Sequence, residues 1–144
     1  MTDELVVVAR EGRVATVTLN RPDARNALNR ALTYALWDAV GELGADDSVD
    51  VVVLTGADPA FCAGIDLKEA SGETPPSADA RRPGDGPGRD VNGLHRFIPL
   101  IDKPVIGAVN GVAVTGGLEL ALQCTLLVAS DRARFGDTHV RVGV

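Results

Sequence analysis

The sequence predicts an α/β protein. Short β-branched runs recur along the 144 residues, one long helical stripe lies between them, and glycines gather where strand-like runs end. The first two runs are residues 5–10 (Leu-Val-Val-Val-Ala-Arg) and 14–19 (Val-Ala-Thr-Val-Thr-Leu). Glu11-Gly12-Arg13 divides them, so they read as a hairpin. Asn20-Arg21-Pro22-Asp23 then breaks the strand.

From Asn29 to Leu43 the period changes. Leu32, Leu36, Val40 and Leu43 recur at spacings of three and four, which predicts a helix with one apolar stripe. Residues 49–55 are β-branched enough for a buried strand. Residues 71–90 are rich in Gly, Pro, Ser, Asp and Arg, and read as a mobile surface loop within one domain spanning 1–144. A helix is expected over Asp90–Ile101, stopped by Lys103-Pro104. Val105–Val109 reads as a strand, followed by a glycine-rich turn and a helix over Thr115–Gln123. Leu126–Ala129 and Ala133–Phe135 read as further short strands.

Composition narrows the function. Apolar residues make up 45% and charged residues 24%, enough for one packed core. The net charge of −6 argues against a nucleic-acid or membrane-surface partner, though a local basic cluster still suits an anionic small ligand. No apolar run approaches the roughly 20 residues that span a bilayer. The start, Met1-Thr2-Asp3-Glu4, lacks the basic and apolar regions of a secretory signal. Cys62 and Cys124 have no metal-type spacing and read as reduced thiols, consistent with a cytoplasmic location. Cys124 is expected in the core.

Two segments carry chemistry. Ala60-Phe61-Cys62-Ala63-Gly64-Ile65-Asp66-Leu67-Lys68 runs from strand through a tight Ala-Gly turn into a helical start. Val105 to Glu119 does the same through Gly116-Gly117. The first N–H groups of a helix lack internal partners, and a glycine there lets an oxyanion approach. Glu119 follows Gly116 by three residues, which sets a carboxylate on the same side of the first turn. Two backbone donors from two such turns suit the charge that develops on a thioester oxygen.

These segments resemble the enoyl-CoA hydratase/isomerase (crotonase) family. Phe61–Lys68 resembles its first signature and Pro104–Glu119 its second, while Arg21-Pro22 with Asn26-Ala27-Leu28 resembles its N-terminal CoA-side segment. The three occur in family order. The resemblance implies a crotonase-like fold of stacked ββα units on a mostly parallel sheet, in which the N-terminal hairpin strands, 51–55 and 105–109 belong to the core. It implies that Ile65 and Gly116 are oxyanion-hole donors and that Glu119 is the first catalytic glutamate. Ala63, Ile65, Asp66, Leu67 and Lys68 match the stretch lining the CoA and thioester. Arg21, Arg25 and Lys68 would face the CoA phosphates. The implied activity is that of a lyase adding water to a 2-enoyl-CoA, with isomerase activity or non-catalytic acyl-CoA binding as alternatives.

Two departures stand out. The second glutamate would fall 20 residues after the first, where this chain has His139. Imidazole can move protons too, so His139 is the second candidate catalytic residue. The chain also corresponds to only the first half of the family domain, without the C-terminal helices. The resemblance further implies a homo-oligomer, a trimer or pair of trimers, and no metal or cofactor, since coenzyme A belongs to the substrate. His95 receives no role, and Arg81, Arg82 and Arg89 are read as loop charges. A serine-dependent chemistry is disfavoured because no Ser lies on either turn.

Overall fold

The computed structural model describes residues 4–75, 87–90 and 92–142. Strands β1 (Val6–Glu11) and β2 (Val14–Leu19) form the antiparallel hairpin. A 3-10 turn (Pro22–Ala24) leads to helix α1 (Arg30–Ala45). Strands β3 (Val51–Gly56) and β4 (Ala60–Cys62) precede the short helix α2 (Leu67–Ala70). A small antiparallel pair follows, β5 (Gly88–Arg89) with β6 (His95–Arg96). Then come β7 (Val105–Val109), β8 (Val112–Val114) and helix α3 (Gly116–Leu122). Strands β9 (Leu126–Ala129) and β10 (Arg134–Gly136) and helix α4 (His139–Val142) complete the described chain.

The larger sheet has the order β1-β2-β3-β7-β9, and every pairing after the hairpin is parallel. A second, parallel sheet of three short strands has the order β10-β8-β4. Alternation puts Ala15, Val17 and Leu19 of β2, Val52 and Leu54 of β3, and Val105 and Val109 of β7 into one core. The expected α1 stripe, Leu32, Leu36, Val40 and Leu43, is fully buried against it. Asn29 caps α1 by accepting from the Leu32 N–H at 2.9 Å. At the other end Lys103 donates its Nζ to the carbonyls of Leu43 and Asp46, where the helix has orphan acceptors.

Three expectations need correction. Strand β1 belongs to the sheet but not to its interior: it is an edge strand with nearly every residue exposed. Residues 90–101 are not a helix. Asp90 Oδ1 accepts from the N–H groups of Asn92 and Leu94, Gly93 takes φ +77°, and the chain reverses between β5 and β6. Phe97 and Ile98 then follow as a buried bend after β6, tied to Gln123, whose Oε1 accepts from the Phe97 N–H at 2.9 Å. Cys124 is half-buried just past the end of α3, packed on the core rather than within the helix. Most of the expected mobile loop, 76–86, lies outside the described residues.

Candidate functional site

The site is built by two strand-to-helix turns that touch. In the first, β4 ends at Cys62 and the chain passes through Ala63, Gly64 and Ile65 to Asp66, the N-cap of α2. Segment 25–28 lies alongside like an added parallel strand. Ala63 N–H donates to Arg25 O (3.0 Å), Leu28 N–H to Gly64 O (2.7 Å), and Asp66 N–H to Leu28 O (3.1 Å). Because ladder bonds alternate along a strand, this pairing engages residues 63, 64 and 66 and turns the Ile65 N–H to the other side.

The second turn lies on that other side. Strand β8 passes through Thr115 into Gly116, the first residue of α3. A Cβ built on Gly116 would stand 3.4 Å from Ile65 N and 3.5 Å from Gly64 Cα. One built on Gly64 would stand 3.2 Å from Gly116 N, and one on Gly117 would stand 2.1 Å from Cys62 O. No side chain fits at Gly64 or Gly117, so there the backbones of the two turns meet directly. Among the described residues neither Ile65 N–H nor Gly116 N–H donates a hydrogen bond. The two backbone groups singled out in the sequence are therefore neighbours.

A cleft of about 560 Å³ opens beside the first turn. Arg25, Ala63, Ile65, Asp66, Leu67 and Lys68 all line it. Arg25 and Lys68 are exposed. Arg21 also reaches this cleft, yet its guanidinium is already engaged: it donates to Ala27 O at 2.5 Å and to Asp66 Oδ2 at 3.0 Å. These bonds make Arg21 a pin for the turn. Asp66 caps α2 through the N–H groups of Lys68 and Glu69. Partial burial raises its pKa, but the hydrogen bond and charge of Arg21, with the two N–H donors, hold the carboxyl below its usual value. Ile65 also borders a second cleft of about 260 Å³, walled by Leu28, Tyr34 and Phe97.

Glu119 and His139 stand apart from the cleft. Glu119 is exposed on α3, its N–H bonded to Thr115 O at 3.0 Å, and its carboxylate has no partner among the described residues. His139 opens α4, and its Nδ1 lies 2.5 Å from Asp137 Oδ1. The Asp137 carboxyl is held below its usual value, first by the His139 N–H and then by the ring. No hydrogen bond joins Glu119 directly to His139. Cys62 is inert: burial pushes its thiol up to about 12.

Two polar residues escaped the sequence reading of roles. Asn26 is completely buried, accepts from the Arg21 N–H (2.9 Å), and donates to the carbonyls of Ala57 (2.9 Å) and Ala60 (2.8 Å). Gln123 ties residues 95–98 to the end of α3. Asn26 stood in the quoted Asn-Ala-Leu motif, but its partners are 31 and 34 residues away.

These turns, their order and their glycines match a family. The enoyl-CoA hydratase/isomerase profile fits residues 9–144, and the chain belongs to that family. A probable enoyl-CoA hydratase 1, peroxisomal, of Arabidopsis thaliana is 41% identical over 145 residues, covering all of this chain and 51% of that protein. The short-chain-enoyl-CoA hydratase of Clostridium acetobutylicum is 40% identical over 140 residues, covering 96% of this chain and 51% of that one. The crystal structure of an enoyl-CoA hydratase from Mycobacterium tuberculosis H37Rv superposes with a TM-score of 0.79 at 48% identity, over 98% of this chain and 53% of that chain. A carnitinyl-CoA dehydratase from Mycobacterium avium 104 gives 0.81 at 39% identity, over 99% and 53%. The fold is the α/β crotonase-like fold, and this chain spans about half the length of the relatives it matches.

Proposed function

We propose that the chain carries the thioester site of an enoyl-CoA hydratase, a lyase that adds water across the double bond of a 2-enoyl-CoA. The observation that carries this reading is the contact between the two turns, which juxtaposes the unpartnered N–H groups of Ile65 and Gly116. A thioester carbonyl accepting from both becomes a better electron sink. Water attacks C3, the double-bond electrons move to C2 and the carbonyl oxygen, and the two N–H groups stabilise the enolate. Glu119 takes the proton from the attacking water. His139, held at Nδ1 by Asp137, delivers a proton to C2 through its other nitrogen as the carbonyl reforms. No metal or organic prosthetic group enters, because the thioester itself takes up the charge.

The rest of the substrate follows from the surroundings. The CoA portion lies along the larger cleft with its phosphates towards Arg25 and Lys68, and the acyl chain passes Ile65 into the smaller cleft, against Leu28 and Phe97. The relatives' names favour hydration over isomerisation. We further propose work in the cytoplasm as a homo-oligomer, a trimer or pair of trimers. The test compares two substrates. A 2-enoyl-CoA should lose its conjugated thioester absorbance as water adds, while a 3-enoyl-CoA should keep its double bond in place. Migration of the 3-enoyl double bond without hydration would replace this reading with an isomerase.

A further inference from the structure

Thr115 sits at the junction of the two turns in a conformation that its side chain disfavours. Its φ is +49° and its ψ −122°. Among the described residues the other two non-glycine positions with positive φ, Arg25 and Asn26, share a turn braced by the buried Asn26 amide. Thr115 is β-branched, and such a strained backbone persists only where the surroundings impose it. Here they impose it at every polar atom. Thr115 N–H donates to Gly136 O of β10 at 3.0 Å, and its carbonyl accepts from the Glu119 N–H at 3.0 Å. Its hydroxyl donates to Val114 O at 2.8 Å. The same hydroxyl nests on Gly64 of the opposite turn, where a Cβ would lie 1.9 Å from Thr115 Oγ1.

Two consequences follow. The peptide joining Thr115 to Gly116 carries the Gly116 N–H, so the ψ of Thr115 sets where that N–H points. The contact of Oγ1 with Gly64 sets how closely the second turn approaches the first, and therefore the spacing between the N–H groups of Gly116 and Ile65. We infer that Thr115 is a positioning residue for the pair of backbone donors, acting through its hydroxyl and its imposed backbone conformation rather than by touching substrate. This rests on the hydratase reading, because it presumes that both N–H groups serve one carbonyl oxygen.

The test uses Thr115→Ser, Thr115→Val and Thr115→Gly. Ser keeps the hydroxyl; Val keeps the shape and loses it; Gly loses it and accepts positive φ without strain. The first readout is the absorbance of sorboyl-CoA, a conjugated dienoyl thioester, whose band moves to longer wavelength when donors polarise its carbonyl. The second is the split of kcat from KM in hydration. Thr115→Ser should bind sorboyl-CoA with the wild-type band shift. Thr115→Val and Thr115→Gly should bind it within about threefold of wild type, lose most of the shift, and lose kcat by about ten- to a hundredfold with KM nearly unchanged, as expected for donors misplaced by a fraction of an ångström. Thr115→Gly should melt no lower than wild type, which separates lost positioning from lost folding. A full band shift and a kcat within twofold in both Val and Gly variants would overturn the inference. A wild-type chain that binds sorboyl-CoA without any band shift would instead remove the hydratase reading, and the inference with it.

Discussion

Replacing Asn26 tests how the first turn is held. Its side chain is completely buried and makes three hydrogen bonds, at 2.8–2.9 Å, to the Arg21 N–H and the carbonyls of Ala57 and Ala60. Asn26→Ala leaves that N–H and the two carbonyls to find other partners, the Ala60 carbonyl in a buried place and the other two at part-buried ones. A fully buried orphaned group costs about 1–3 kcal/mol, and only the bond to Ala60 O is fully buried, so the sum expected is about 2–3 kcal/mol. Alanine at the Asn26 φ of +56° adds strain that asparagine tolerates better. Asn26→Asp separates this effect from simple loss of volume. Aspartate keeps the acceptor for Arg21 N–H but turns a carboxylate oxygen towards two carbonyls, so it should be at least as damaging as alanine at neutral pH and recover as the pH falls and the carboxyl gains a proton. Urea unfolding at pH 7 and pH 5 reads all of this as shifts in midpoint. An Asn26→Asp chain as stable as wild type at pH 7 would refute the reasoning, because the donor role of the amide would then be immaterial.

Two further outcomes follow from the same contacts. Gly117→Ala should destabilise the chain by about 1–3 kcal/mol and abolish hydration, because its Cβ meets Cys62 O at 2.1 Å and α3 must move off β4; thermal melting and turnover measured together check this. Asp66 has a folded-state pKa below its unfolded value near 3.9, so the unfolded chain binds the extra proton as acid is added. Its contribution to stability is therefore complete above about pH 4 and declines as pH falls through the folded pKa. Asp66→Asn should flatten part of the acid limb of a midpoint-against-pH curve, and an unchanged limb would show that the Arg21–Asp66 pair does not stabilise the turn.

Local pattern made some elements legible and not others. Leu32, Leu36, Val40 and Leu43 identified α1 because a three-four spacing sustained that long fits a helix and no strand. The 105–109 strand and the glycines after β4 and β8 were equally plain, and with them the positions of Ile65 and Gly116. Residues 90–101 misled because Phe97, Ile98 and Ile101 mimic a helical stripe. Phe97 and Ile98 are buried instead in an irregular bend, and the half-buried Ile101 packs on α1, where a Cβ on Gly44 would strike Ile101 Cγ2 at 2.4 Å. Strand β8, with three residues, is too short for alternation to show. The engaged state of Arg21 was invisible for another reason: its carboxylate partner is 45 residues away, and nothing local distinguishes a pinned arginine from a free one. The positive φ of Thr115 was hidden in the same way, since a threonine before two glycines gives no hint of it.

In the proposed reaction Glu119 is the base that activates water beside the Ile65 and Gly116 N–H groups. Its most direct test is crotonyl-CoA hydration, followed as loss of enoyl-thioester absorbance, by this chain and by its Glu119→Gln variant, with crotonyl-CoA affinity measured on both. The predicted result is hydration by the parent chain, a loss of at least about a hundredfold in the variant, and affinities within about threefold of each other. Equal turnover by the two chains would contradict the proposed mechanism and remove Glu119 from the chemistry.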